Sequence, residues 1–184
     1  MPAWLKYILT FAAVFAFRLL PFRAPNVEPI LASVMPLSKC FGALPGVLFG
    51  VLSIVLYDAV TSGWGAWTWV TALAYGILGA ASYLYFKNRS ASRGNFVRFS
   101  VVAVLFYDAV TGLTVGPLFN GQSFSAALAG QVPFTVLHLL GAVVFAALVS
   151  PALYRWFATS ESPARAVAPA QSLGKKDTEP QEKC

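Results

Sequence analysis

Two stretches of this chain contain no Asp, Glu, Lys or Arg: residues 59–86, between Asp58 and Lys87, and residues 109–154, between Asp108 and Arg155. About 20 apolar residues cross a bilayer as a helix, so these stretches alone hold three crossings. Composition closes the alternatives. Of 184 residues, 58% are hydrophobic and 11% charged, against about 45–50% and about 25% in soluble domains. With 15% aromatic residues, most of the chain is also unlike a disordered polymer. The sequence reads as an all-α, multi-pass membrane protein whose first partner is the lipid bilayer.

Hydropathy places six transmembrane segments at roughly 4–20, 27–40, 43–62, 66–86, 96–115 and 131–156. Lys6 and the apolar run from Tyr7 to Phe17 look like a secretory leader, but Arg18 directly after the run favours an uncleaved first helix. The second segment is short and broken: Pro29 suits a first turn capped by Asn26, and Pro36 is expected to kink or end the helix. A broken helix at membrane depth belongs where protein or a cavity surrounds it. The organisation is therefore a six-helix domain over 1–157 and a polar tail over 158–184, whose Pro, Ser, Gln, Lys and Glu content reads as disordered.

The net charge of +6 comes from the membrane part, because the tail holds four basic and four acidic residues. It therefore calls for no nucleic acid. With both termini in the cytoplasm, Lys6, Lys39, Lys87, Arg89, Arg93, Arg98 and Arg155 fall inside, and only Arg18 and Arg23 fall outside. The positive-inside rule prefers this orientation, seven to two. Cys40 and Cys184 suggest neither a disulfide nor a CxxC-type metal site, and no prenylation box is present.

Only three acids lie in the membrane part: Glu28, Asp58 and Asp108. An Asp at a helix centre costs about 2.5–3.5 kcal/mol on insertion scales, so such residues mark sites or wet cavities. In the preferred orientation all three gather on the extracytoplasmic side, with Arg18 and Asn26. A repeat sharpens the pattern: Tyr57-Asp58-Ala59-Val60-Thr61 recurs as Tyr107-Asp108-Ala109-Val110-Thr111. Segments 3–4 and 5–6 thus read as parallel structural repeats, an arrangement that in transporters places the site at the repeat interface. The bland alternative is that each Asp caps the start of the next helix. In the Ser62–Trp69 loop, Trp64 and Trp67 fit either an interfacial belt or a lid stacking on a flat ligand. His138 fits a hydrogen-bonded core position, a ligand contact or, least readily with so few donors nearby, a metal ligand. Gly42, Gly46 and Gly50 form a small-residue stripe suited to close helix packing. The candidate substrate-binding set is Arg18, Asn26, Glu28, Asp58, Trp64, Trp67, Asp108, Thr111 and His138, with no catalytic residue, metal or cofactor expected.

Three stretches together resemble the S components of energy-coupling factor transporters. They are Arg18-Leu19-Leu20-Pro21 with Pro25-Asn26-Val27-Glu28-Pro29, Leu56-Tyr57-Asp58 before a Gly-Trp-Thr loop, and Pro133-Phe134-Thr135-Val136-Leu137-His138-Leu139-Leu140-Gly141. The resemblance covers about residues 4–157. It implies a small six-helix protein of a prokaryotic plasma membrane that captures a vitamin or related micronutrient outside the cell. It further implies partnership with a transmembrane T component and two cytoplasmic ATPases, in an ABC-type importer. Ala12 and Ala16 match the family's Ala-x-x-x-Ala patch facing the T component. No Walker A sequence is present, so hydrolysis by that route is excluded for this chain. Pro2 stands where nickel and cobalt relatives carry His, which points to an organic ligand.

Two readings compete. A structural or assembly membrane protein would use the Asp residues as caps only. An intramembrane aspartyl protease would pair Asp58 with Asp108 around a shared proton, although the Gly-x-Gly-Asp signature expected there is missing.

Overall fold

A computed structural model of the chain describes residues 1–22 and 27–159, so the tail expected over 158–184 lies almost wholly outside the described residues. The described chain is helical, without strands: α1 (Ala3–Arg18), α2 (Ile30–Phe41), α3 (Ala43–Val60), α4 (Ala66–Lys87), α5 (Arg93–Gly112), the five-residue α6 (Val115–Phe119) and α7 (Phe124–Ala158). Four helical stretches are long and apolar enough to cross a membrane: α3, α4, the α5–α6 run and α7. Large apolar side chains face outward along them, among them Leu44, Leu73, Val102, Leu140 and Leu148. A bundle with an oily exterior suits lipid as its solvent.

The short second helix is the axis of the bundle. Every residue from Ile30 to Ser38 is buried, and α1, α3, α4, α5 and α7 all pack around it. A helix that is apolar on all sides is stable only with such a complete surround. Pro36 was expected to kink or end this helix, yet α2 runs through it to Phe41. The reason is visible at the vacated acceptor. Pro36 has no N–H to give the carbonyl of Ala32, and Ser150 of α7 donates its hydroxyl to that carbonyl instead, at 2.8 Å. Pro29 stands at the N-cap of α2, without a side-chain capping bond; Asn26, the expected cap, lies outside the described residues.

The predicted glycine stripe works at two of its three positions. A Cβ at Gly46 would sit 1.9 Å from Ser38 Oγ, and one at Gly50 would sit 2.9 Å from the Tyr75 carbonyl. Gly79 on α4 completes the close approach, its added Cβ falling 2.6 Å from the Val47 nitrogen. Gly42 is different: with φ at +98° it turns the chain between α2 and α3, and nothing lies near its missing Cβ. The last helix begins at Phe124, earlier than the hydropathy edge at 131. Ser123 caps it by accepting from the Ala126 N–H.

Two lysines hold helix ends. Lys6, only 3% exposed, donates to the Trp156 carbonyl and to Thr159 Oγ1, the latter at 2.9 Å. Lys39 donates to the carbonyls of Phe86 and Arg89, at 2.9 and 3.2 Å. A cation at the C-terminus of a helix meets unsatisfied carbonyls and the negative end of the dipole. The C-termini of α4 and α7 are thereby tied to α2 and α1. Cys40 is half-buried near the end of α2, and Cys184 lies outside the described residues.

Candidate functional site

Short links make successive long helices antiparallel. The ends of α1, α3 and α5 therefore meet the starts of α2 and α4 at one end of the bundle, where the acids of the membrane part collect.

Arg18, the last residue of α1, is 7% exposed. Its Nε lies 3.0 Å from Glu28 Oε2, off the line of an aligned hydrogen bond, so charge attraction dominates that contact. The same guanidinium donates to the Ser53 carbonyl and lies over the Tyr57 ring, 4.0 Å from its centroid. Glu28 Oε1 accepts from the Tyr75 hydroxyl at 2.7 Å. The Tyr75 ring in turn packs on Tyr107, with centroids 4.7 Å apart. Tyr107 meets the His138 imidazole edge-on at 5.6 Å, and Phe134 meets it from another side at 6.3 Å. His138 Nδ1 closes the chain on Asp108 Oδ1 at 2.7 Å. One continuous path of contacts therefore runs from Arg18 through Glu28, Tyr75, Tyr107 and His138 to Asp108, with Glu28 and Tyr107 partly buried and the other four buried. Tyr107 stands at its centre, within electrostatic reach of Arg18, Glu28, Asp58 and Asp108.

The two copies of Tyr-Asp-Ala-Val-Thr end in different surroundings. Asp58 Oδ2 accepts from the Thr68 hydroxyl at 2.6 Å, and the Thr68 oxygen accepts from the Gly65 N–H at 3.1 Å. The Asp58 carbonyl also accepts from the Gly63 N–H at 2.7 Å. Asp58 thus joins the end of α3 to the start of α4, as the capping alternative foresaw. Asp108 instead reaches across to α7. Its Oδ2 is buried and has no hydrogen-bond partner, although the residue is 1% exposed. Buried polar groups are normally satisfied, yet among the described residues at this end Asp108 Oδ2, Arg18 Nε and Ser53 Oγ have no hydrogen-bond partner.

Of the residues predicted from sequence, Arg18, Glu28, Asp108 and His138 come together. Thr111 is buried close by on α5, but its hydroxyl donates to the Tyr107 carbonyl one turn back. Trp64 and Trp67 do not join the path: they are 62% and 43% exposed, and the Trp64 indole N–H donates to the Val55 carbonyl. Outward tryptophans at a helix end suit an interfacial belt. Ala12 and Ala16 face outward on α1. Asn26 and Arg23 lie outside the described residues.

Sequence reasoning missed Tyr75, Tyr107 and Thr68 as members. Tyr107 was within reach, since it opens the repeated pentapeptide. Tyr75 also left a signal: it stands two turns after Thr68, on the same face of α4.

Chemically, the path offers acceptors, one committed guanidinium and aromatic surface. Among the described residues, no group of three or more His, Cys, Asp or Glu is arranged to hold a metal ion. Asp58 and Asp108 each bond to a different residue and share no hydrogen bond. Compared with known protein families, curated proteins and solved structures, the chain has no match.

Proposed function

We propose that this chain captures a small organic nutrient on the extracytoplasmic side of a prokaryotic plasma membrane, as an S component of the energy-coupling factor type. The observation that carries the reading is the Arg18–Glu28–Tyr75–Tyr107–His138–Asp108 path with its buried, unsatisfied Asp108 Oδ2. Ionisable residues within a membrane domain are costly, and a ligand site accounts for their concentration at one end. The basic asymmetry, seven to two, puts that end outside and both termini inside.

The partner side of the reading rests on α1. Ala12 and Ala16 present a small-residue surface, and α1 is flanked by two open apolar grooves. One, of about 440 Å³, runs against α3 past Trp4, Ile8, Pro45 and Leu52. The other, of about 320 Å³, runs against α7 past Ala13, Phe17, Phe145 and Trp156. A transmembrane T component would seat here and couple the chain to two ATPases. On this reading, segments 3–4 and 5–6 are parallel repeats whose two Asp residues have diverged in role.

The test is reconstitution. The purified chain in proteoliposomes should bind substrate without nucleotide and accumulate none. Uptake should appear only when a T component and ATPases are added. Concentrative, ATP-driven uptake by the chain alone would overturn the assignment. A structural role without ligand is the second reading, favoured by one observation: Asp58 Oδ2 is bonded to the Thr68 hydroxyl at the start of α4.

A further inference from the structure

Among the described residues, three carboxylates and one guanidinium lie within electrostatic reach of Tyr107, so acids outnumber guanidinium groups around it. Each charge can be followed to its partner. Glu28 has Arg18 and the Tyr75 hydroxyl. Asp58 has Thr68. Asp108 has His138 on Oδ1 and nothing on Oδ2. A donor is missing at that one atom whichever ring nitrogen of His138 carries its proton, because the imidazole reaches only Oδ1. Buried charges persist when paired, and a donor that also carries positive charge would complete this site best.

Arg18 bears on the sign as well. Its guanidinium is committed to the Ser53 carbonyl, Glu28 and the face of Tyr57. Those contacts already engage much of the guanidinium, and an anion would also meet the carboxylates around Tyr107. A cation meets the opposite conditions. Asp108 Oδ2 supplies a charge-assisted hydrogen bond, and the partly buried Tyr107 ring beside His138 adds aromatic surface that attracts positive charge.

Resting on the substrate-capture reading above, we infer that the site takes a ligand with a cationic, N–H-bearing nitrogen beside an aromatic or apolar body, with Asp108 Oδ2 as its acceptor. His138 is the positioning residue: it fixes the carboxylate through Oδ1 and is itself held edge-on by Tyr107 and Phe134.

The test uses a matched series with one ring and three charges: tyramine (cationic), tyrosol (neutral) and 4-hydroxyphenylacetate (anionic). Binding to the full chain in lipid nanodiscs is followed by the shift of its thermal unfolding midpoint and by calorimetric titration. The cation should bind at least about tenfold more tightly than the other two. Asp108→Asn should erase that preference, and Asp108→Glu should retain the preference for the cation at reduced affinity. His138→Gln should weaken the cation while leaving its rank first. Should Asp108→Asn fail to fold, Asp108→Glu and the wild-type rank order still decide.

Failure of tyramine to bind, equal or tighter binding of the anion, or an Asp108→Asn variant with wild-type preference would each overturn the inference. None of these results touches the broader reading. Nutrient capture fails separately, in the uptake assay with T component and ATPases.

Discussion

Asp108 Oδ1 and His138 Nδ1 stand 2.7 Å apart, on α5 and α7, in surroundings that leave the two residues 1% and 4% exposed. The contact pins the middle of the longest helix to the end of its neighbour. It also fixes which carboxylate oxygen remains for another partner. Structure and proposed recognition therefore meet in one pair of side chains.

The Arg18–Glu28 pair should behave as a buried ion pair. Removing one partner of such a pair costs about 3–5 kcal/mol. Arg18→Met and Glu28→Gln should each lower the unfolding midpoint in mild detergent, and the double variant should recover part of the loss. A double variant as unstable as the sum of the singles would show that the two residues act independently.

Thr68 should matter through Asp58. Its hydroxyl donates to Asp58 Oδ2 and accepts from the Gly65 N–H, and a hydrogen bond to a charged group contributes about 1.5–3 kcal/mol. Thr68→Val should destabilise by that order. In a double-mutant cycle with Asp58→Asn, the coupling should exceed about 1 kcal/mol. Additive effects would remove Asp58 from its role as the link between α3 and α4.

Much of this architecture was legible in the sequence because lipid imposes long uncharged runs. The helices of α3, α4 and α5 lie within a few residues of the hydropathy segments. The passage of α2 through Pro36 was not legible, since it depends on Ser150, a residue far along the chain that supplies the missing donor. At the site, the rarity of acids drew attention to Glu28, Asp58 and Asp108. Identical pentapeptides could not reveal that one Asp caps the next helix while the other reaches α7. That divergence depends on the partner each Asp finds, Thr68 for Asp58 and His138 for Asp108. The tryptophan loop misled for a related reason: composition shows an aromatic cluster, and only packing shows that Trp64 and Trp67 face outward.

Lys6 should anchor α1. Its ammonium group is buried against the C-terminus of α7. Lys6→Met keeps the apolar stem and removes the donors, so stability should fall by about 2 kcal/mol. Amide exchange should quicken in the last turn of α7 while remaining unchanged at the α3–α4 link. Uniform quickening across the bundle would mean that Lys6 supports the fold globally rather than tying two helices.

Orientation can be read by labelling single cysteines in a background lacking Cys40 and Cys184. Ser62 and Gly94 are exposed at opposite ends of the bundle, and an added Cβ at Gly94 meets nothing. Gly65 is a poor probe site, because its Cβ would strike the Trp67 ring. A membrane-impermeant reagent applied to intact cells should label Ser62→Cys and spare Gly94→Cys. The reverse pattern would place the acidic end in the cytoplasm and remove the case for external capture.

The most direct measurement is mass spectrometry of small molecules that co-purify with the full chain, comparing wild type, Asp108→Asn and Ser100→Ala. Ser100 lies on the same helix, and its hydroxyl bonds only within α5, to the Val97 carbonyl. The account predicts one organic compound retained near stoichiometrically by wild type and Ser100→Ala, and reduced at least about tenfold in folded Asp108→Asn, equivalent to roughly 1.4 kcal/mol. A wild-type protein that retains no compound, or an Asp108→Asn protein that retains the same amount, would contradict it.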